Sequence, residues 1–132
     1  MKEKPEEIAA QIGQTVSKND CVCAEDLELV ERALEVHPDS IELWCLRGDL
    51  IQVSNDEGRY SLEDAEASYT RAAEIDPEDP EAFESLGFYY DAICADPGKA
   101  EPFFRRAIDL GADESAHEGL AEVMAELKSQ GA

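Results

Sequence analysis

Apolar positions recur at helical spacing along most of this chain. Ile8, Ala9, Ile12 and Val16 fall on one face of a helix, as do Leu27, Val30, Ala33 and Leu34. No sustained alternation of β-branched residues interrupts the pattern, so strands are not predicted. Turn residues cut the helical pattern into seven pieces. Pro5-Glu6-Glu7 opens the first, with proline in the first turn and acids at the positive end of the helix dipole, and Ser17-Lys18-Asn19-Asp20 closes it. The second runs from about Ala24 to Val36 and stops at His37-Pro38-Asp39-Ser40. Ser40 caps a third, carrying Ile41, Trp44, Leu50 and Ile51, which fades at Ser54-Asn55-Asp56-Glu57-Gly58.

Ser61, three residues before Asp64, makes a capping-box-like start for a fourth helix through Ile75. After Asp76-Pro77-Glu78-Asp79-Pro80 a fifth is predicted to about Ala95. A sixth follows Asp96-Pro97-Gly98 and ends at Leu110, with Gly111 in the C-terminal capping place. Ser115 opens a seventh through about Lys128.

The pieces repeat in pairs. Trp44-x2-Arg47-Gly48-x2-Ile51 matches Phe83-x2-Leu86-Gly87-x2-Tyr90 and, more loosely, Ala9-x2-Ile12-Gly13-x2-Val16. The helices that follow give Ala65-x3-Tyr69-x2-Ala72-x4-Pro77, Ala100-x3-Phe104-x2-Ala107-x4-Ala112 and Asp26-x3-Val30-x2-Ala33-x4-Pro38. Small residues recurring in register let paired helices approach closely. Gly48 with Ala65 and Gly87 with Ala100 would supply that approach. Trp44, Tyr69, Phe83, Tyr90 and Phe104 would fill the space around it. On the last helix Leu120, Val123 and Leu127 take one side and Glu118, Glu122 and Glu126 the other, the pattern of a polar-backed capping element.

This register resembles the tetratricopeptide repeat, W-x2-L-G-x2-Y followed by A-x3-F and P. The likeness spans about Pro5 to Lys128. It departs at Arg47, where an apolar residue is usual, at Ala112 in place of proline, and at Ala9 and Asp26 in the degenerate first copy. The resemblance implies an all-α fold, a right-handed α-solenoid of antiparallel helix pairs with about seven helices. It implies one domain over 1–132, with repeats at about 5–39, 40–79 and 80–114 and a capping helix at 115–129.

Composition narrows the function. The 132 residues are 43% hydrophobic, enough for a core. Acids number 32 against 11 bases, a net charge of −21, which argues against binding nucleic acid or an anionic membrane. There is no apolar run of roughly 18 residues and no leader-like stretch at the N-terminus, so a cytoplasmic setting with reduced thiols is expected. No nucleophile-elbow, zinc-protease or phosphate-loop motif occurs, and abundant acids cannot be read as an acid–base pair, so neither catalysis nor a cofactor is expected. Cys21-x-Cys23 lacks the second close pair of a zinc site, and only His37 and His117 could add imidazole. The acids from Asp76 to Glu81 read as helix-end carboxylates, and Asn55-Asp56-Glu57-Gly58 lacks the alternating ligands of a calcium loop.

The resemblance also places a partner face, since the first helix of each repeat lines the concave side. The candidates are Glu42, Cys45, Leu46, Asp49 and Val53, then Glu84, Ser85, Phe88, Asp91 and Ala92, with Ala10, Gln11 and Gln14 from the first copy. This face is acidic, with an apolar centre at Leu46 and Phe88. Some family members grip the acidic tails of chaperones through Lys, Arg and Asn, and the matching helices here offer no such basic set. The expectation is a non-enzymatic interaction scaffold for a basic or apolar protein segment, peptide or helix. Two alternatives differ in class: self-association through the outer face of the degenerate first pair, giving a homo-oligomer, and a thiol or metal role for Cys21 and Cys23.

Overall fold

The computed structural model describes residues 3–54 and 60–131, and among these it contains seven α-helices and no strand. They are α1 (Pro5–Asn19), α2 (Ala24–Val36), α3 (Ile41–Val53), α4 (Leu62–Ile75), α5 (Pro80–Phe88), α6 (Pro97–Asp109) and α7 (Glu114–Gln130). The calcium-loop comparison at Asn55 to Gly58 falls outside the described residues. The chain separates into two compact units, Met1–Ile75 and Asp76–Ala132, divided at the Asp76-Pro77 break.

In the first unit the predicted stripes become the core. Ile8 and Ile12 of α1, Leu27, Val30, Ala33 and Leu34 of α2, Leu43, Leu50 and Ile51 of α3, and Ala65, Tyr69 and Ala72 of α4 are all buried. The polar start signals hold as well. Ser40 Oγ accepts from Leu43 N at 3.2 Å, and Asp64 Oδ2 accepts from Ser61 N at 2.8 Å. The first helix runs to Asn19, longer than expected, and closes through Asp20 in the left-handed region at φ 54°.

Gly48 does more than sit opposite a small alanine. A Cβ placed on it would stand 2.6 Å from the Tyr69 ring. That ring is pinned by two hydrogen bonds at its hydroxyl, from Gln52 and to Asp49. Gly48→Ala should therefore destabilise the chain. An overpacking cost of about 1–3 kcal/mol outweighs the roughly 1 kcal/mol that alanine gains over glycine in a helix. Gly13→Ala is the matched control, because nothing lies within 4 Å of its Cβ position. Thermal unfolding followed by circular dichroism should show a lower Tm for the first variant and an equal or higher one for the second.

Arg47 breaks the repeat pattern and the structure accommodates it. The side chain is 15% exposed and ion-paired with Glu31. It donates to Ser68 Oγ at 2.6 Å and to the Asp64 carbonyl at 3.3 Å. Its guanidinium carbon lies 5.9 Å from the Trp44 ring centroid and 5.6 Å from that of Tyr60. Trp44 is half-buried and donates through Nε1 to the Pro38 carbonyl at 2.9 Å.

The second unit is organised around Phe104 of α6, which is fully buried. A Cβ on Gly87 of α5 would meet its ring at 2.8 Å, and one on Gly119 of α7 at 2.6 Å. Two helices thus present bare backbone to one aromatic ring. Gly119 stands outside the repeat register, which predicts no packing glycine there. Ala82, Leu86, Ala100, Ala107, Ala116 and Val123 complete this core. Phe83 is half-buried, with the Arg106 guanidinium 5.8 Å from its ring.

The fifth helix does not run to Ala95 as an α-helix. At Tyr89–Ile93 it widens into a π turn, and Ala95 reverses the chain at φ 51°. Tyr89 and Tyr90, which open the wider turn, are both buried. Tyr90 stacks on Phe103 with centroids 5.3 Å apart. The last helix starts one residue earlier than expected, and Asp113, not Ser115, is its N-cap, with Oδ1 accepting from Ser115 N at 3.1 Å.

Candidate partner-binding faces

The residues singled out on α3 separate once their surroundings are known. Glu42 is exposed and Leu46 half-buried. Cys45 is 2% exposed and belongs to the core, so it offers no surface to a partner. The reason lies in the helical turn: Cys45 faces the buried side, whereas the repeat register alone does not fix the width of that side. Val53 is 63% exposed at the helix end.

Asp49 is exposed as a residue, yet one carboxylate oxygen is engaged. Tyr69 Oη donates to Asp49 Oδ1 at 2.5 Å and accepts from Gln52 Nε2 at 2.5 Å. Partial dehydration raises the Asp49 carboxyl above the usual range, and the Tyr69 hydrogen bond opposes that. Burial, followed by the neighbouring Asp49 charge, holds the Tyr69 phenol far above its ordinary value. Asp49 thus orders the α3–α4 pair as well as lending charge to the surface. Ala10, Gln11 and Gln14 lie on α1, and all three are exposed.

On α5, Glu84 and Ser85 are half-buried and Phe88 is 38% exposed. Phe88 is held edge-on against Phe104, with centroids 4.9 Å apart and planes at 81°, so its orientation is set from beneath. One turn on, the π turn carries Asp91. Its Oδ1 is shielded from solvent and has no hydrogen-bond partner. The same carboxylate lies beside that of Glu126 on α7. The Glu126 carboxyl is accordingly raised, by dehydration of its end against α5, then by the Asp91 charge and hydrogen bond, then by Glu122.

In the sequence, Glu122 and Glu126 mark only the solvated back of the last helix. Their spacing gives no sign of Asp91, because the approach is made between helices distant in sequence. Among the described residues no group of three or more His, Cys, Asp and Glu is arranged to hold a metal ion. No helix among them is long and apolar enough to cross a membrane.

The fold is that of tetratricopeptide-repeat domains. The chain is similar to the Sgt2 TPR domain from Aspergillus fumigatus, at 15% identity and a TM-score of 0.78, over 96% of this chain and 81% of that one. It is similar to the first TPR of Spaghetti (RPAP3), solved bound to the HSP90 peptide SRMEEVD, at 14% identity and a TM-score of 0.74, over 95% and 94%. The thermophilic TPR protein TTC0263 of Thermus thermophilus matches at 21% identity and a TM-score of 0.77, over 95% and 66%. No family model and no curated protein matches the sequence. The likeness therefore lies in the backbone, an all-α helical-repeat architecture.

Proposed function

We propose that this chain is a non-enzymatic interaction module that accepts a basic, partly apolar peptide or helix. The observation that carries this reading is the pairing of Phe88 with Asp91. An exposed, pre-oriented ring lies one helical turn from a carboxylate that has an unpartnered, shielded oxygen and stands beside Glu126. A lysine or arginine side chain supplies what that carboxylate pair lacks, a cation, while its aliphatic stem covers Phe88. Glu84 and Ser85 flank this position on α5. In the first unit, Glu42, Leu46 and Asp49 on α3 make a second face of the same character. A cytoplasmic setting suits such a module.

Peptide recognition has a precedent in the structural neighbour bound to SRMEEVD. The sign of the charge is reversed here. The helices α1, α3 and α5 carry only Lys18 and Arg47 as bases, and Arg47 is committed to Glu31, Ser68 and Asp64. An acidic tail would meet repulsion from a chain of net charge −21.

Fluorescence anisotropy with labelled peptides tests the reading. Peptides rich in Lys, Arg and Leu should bind, and SRMEEVD should not. Phe88→Ala should weaken binding at least ~10-fold, the loss typical of an anchoring aromatic. Affinity should fall as salt rises from low to physiological, because exposed acids are then screened. A Phe88→Ala variant that binds basic peptides as well as the parent, or a preference for the acidic peptide, would overturn it.

A further inference from the structure

The turn between α1 and α2 holds chemistry that the partner faces do not use. Cys21 and Cys23 lie with their sulfur atoms 3.8 Å apart, Cys21 exposed and Cys23 half-buried. Val16, Ser17, Asp20, Cys21, Val22 and Val53 line a pocket at this turn, so Cys21 stands at a surface recess that a small molecule can reach. Cys23 is the N-cap residue of α2 and is fixed there, its N–H donating to Asp26 Oδ2 at 2.9 Å.

We propose that Cys21 and Cys23 form a reversible dithiol–disulfide couple that exchanges electrons with low-molecular-weight disulfides. The geometry sets the order of events. Cys21 is the more accessible sulfur and makes the first attack. Its thiolate displaces one thiolate from the small disulfide and forms a mixed disulfide. Cys23, already in contact, then attacks the Cys21 sulfur and releases the second thiolate. The two protein thiols lose two protons and two electrons, and the small disulfide is reduced to two thiols.

The second step is intramolecular between sulfurs already in contact, so it outruns attack by a second small thiol. The Cys23 thiol is held above its ordinary range, first by its hydrogen bond with Cys21, then by burial and the charges of Cys21, Asp26 and Glu25. Its partial burial beside the exposed Cys21 assigns it the resolving role. A zinc site is a poorer reading of the same pair, since the described residues contribute no further ligands.

The other two cysteines supply internal comparisons. Cys94 is exposed and Cys45 is buried. The reduced chain is equilibrated in mixtures of reduced and oxidised glutathione, quenched in acid, alkylated and digested with trypsin. Cleavage after Lys18 and Arg32 places both sulfurs in one fragment, from Asn19 to Arg32.

In the parent that fragment should appear two hydrogens lighter, unalkylated and free of glutathione, under conditions where Cys94 carries a glutathione adduct. Cys23→Ser should instead accumulate the adduct on Cys21, at least ~10-fold above the parent, because the resolving thiol is gone. Circular dichroism of each variant establishes that the helices are retained. Full alkylation of both Cys21 and Cys23 while Cys94 is glutathionylated overturns the proposal. So do stable adducts on both sulfurs of the parent, or a disulfide that joins two chains.

Discussion

Phe104→Ala should cost the second unit about 3–5 kcal/mol, toward the upper end of that range for a buried ring. The site is built so that little can relax into the vacancy. Gly87 and Gly119 face the ring with no side chain of their own, so the walls of the cavity would be helix backbone. Phe88 rests its edge on the same ring and would lose its support. A chain at the low end of the usual range of about 5–15 kcal/mol would then be near its unfolding midpoint. Urea titration should show the loss, and Phe104→Leu, which keeps much of the volume, should fall between the variant and the parent. A fluorescent basic peptide should also bind the alanine variant poorly under conditions where it remains folded, because Phe88 is no longer oriented. A Phe104→Ala chain as stable as the parent would show that the two glycines have another purpose.

The same core marks what a sequence can disclose. The helices are legible because their buried faces follow the helical period and because proline, glycine and side-chain caps mark the ends. Ala24–Val36 and Leu62–Ile75 match the expected bounds closely. Gly48 and Gly87 are legible because they recur in register. Gly119 is not, since the last helix has no repeat partner to set a register against.

The π turn is hidden for a different reason. Tyr89 and Tyr90 within it are both buried, but adjacent buried residues also occur in regular helices, as at Ala33 and Leu34, so their burial leaves no mark of the widening in the sequence. The burial of Cys45 and the meeting of Asp91 with Glu126 depend on what the facing helices bring near, which spacing within one helix does not encode. The acidic and aromatic residues of the candidate faces can thus be located from the sequence. The approach of Glu126 to Asp91, on which the proposed cation preference rests, cannot.

Arg47 tests whether the departure from the repeat pattern is a weakness or a substitute core. Arg47→Ala should destabilise the first unit by about 2 kcal/mol. That is less than the roughly 3–5 kcal/mol typical of breaking a fully buried pair, because Glu31 is 40% exposed and can return to water. Ser68 Oγ is not stranded either, since it also donates to the Asp64 carbonyl at 2.9 Å. Most of the loss should then come from the aliphatic stem and from the flat guanidinium set near Trp44 and Tyr60. Arg47→Met replaces that volume without a charge and should recover most of the loss, to within about 1 kcal/mol of the parent. Arg47→Lys keeps the charge but has no planar fork with which to reach Glu31, Ser68 and the Asp64 carbonyl together, and should recover less. Urea denaturation of the three variants ranks these contributions. If lysine proves better than methionine, charge and not packing holds the first unit's helices at this position, and the site is an ionic replacement for the apolar residue the repeat normally carries.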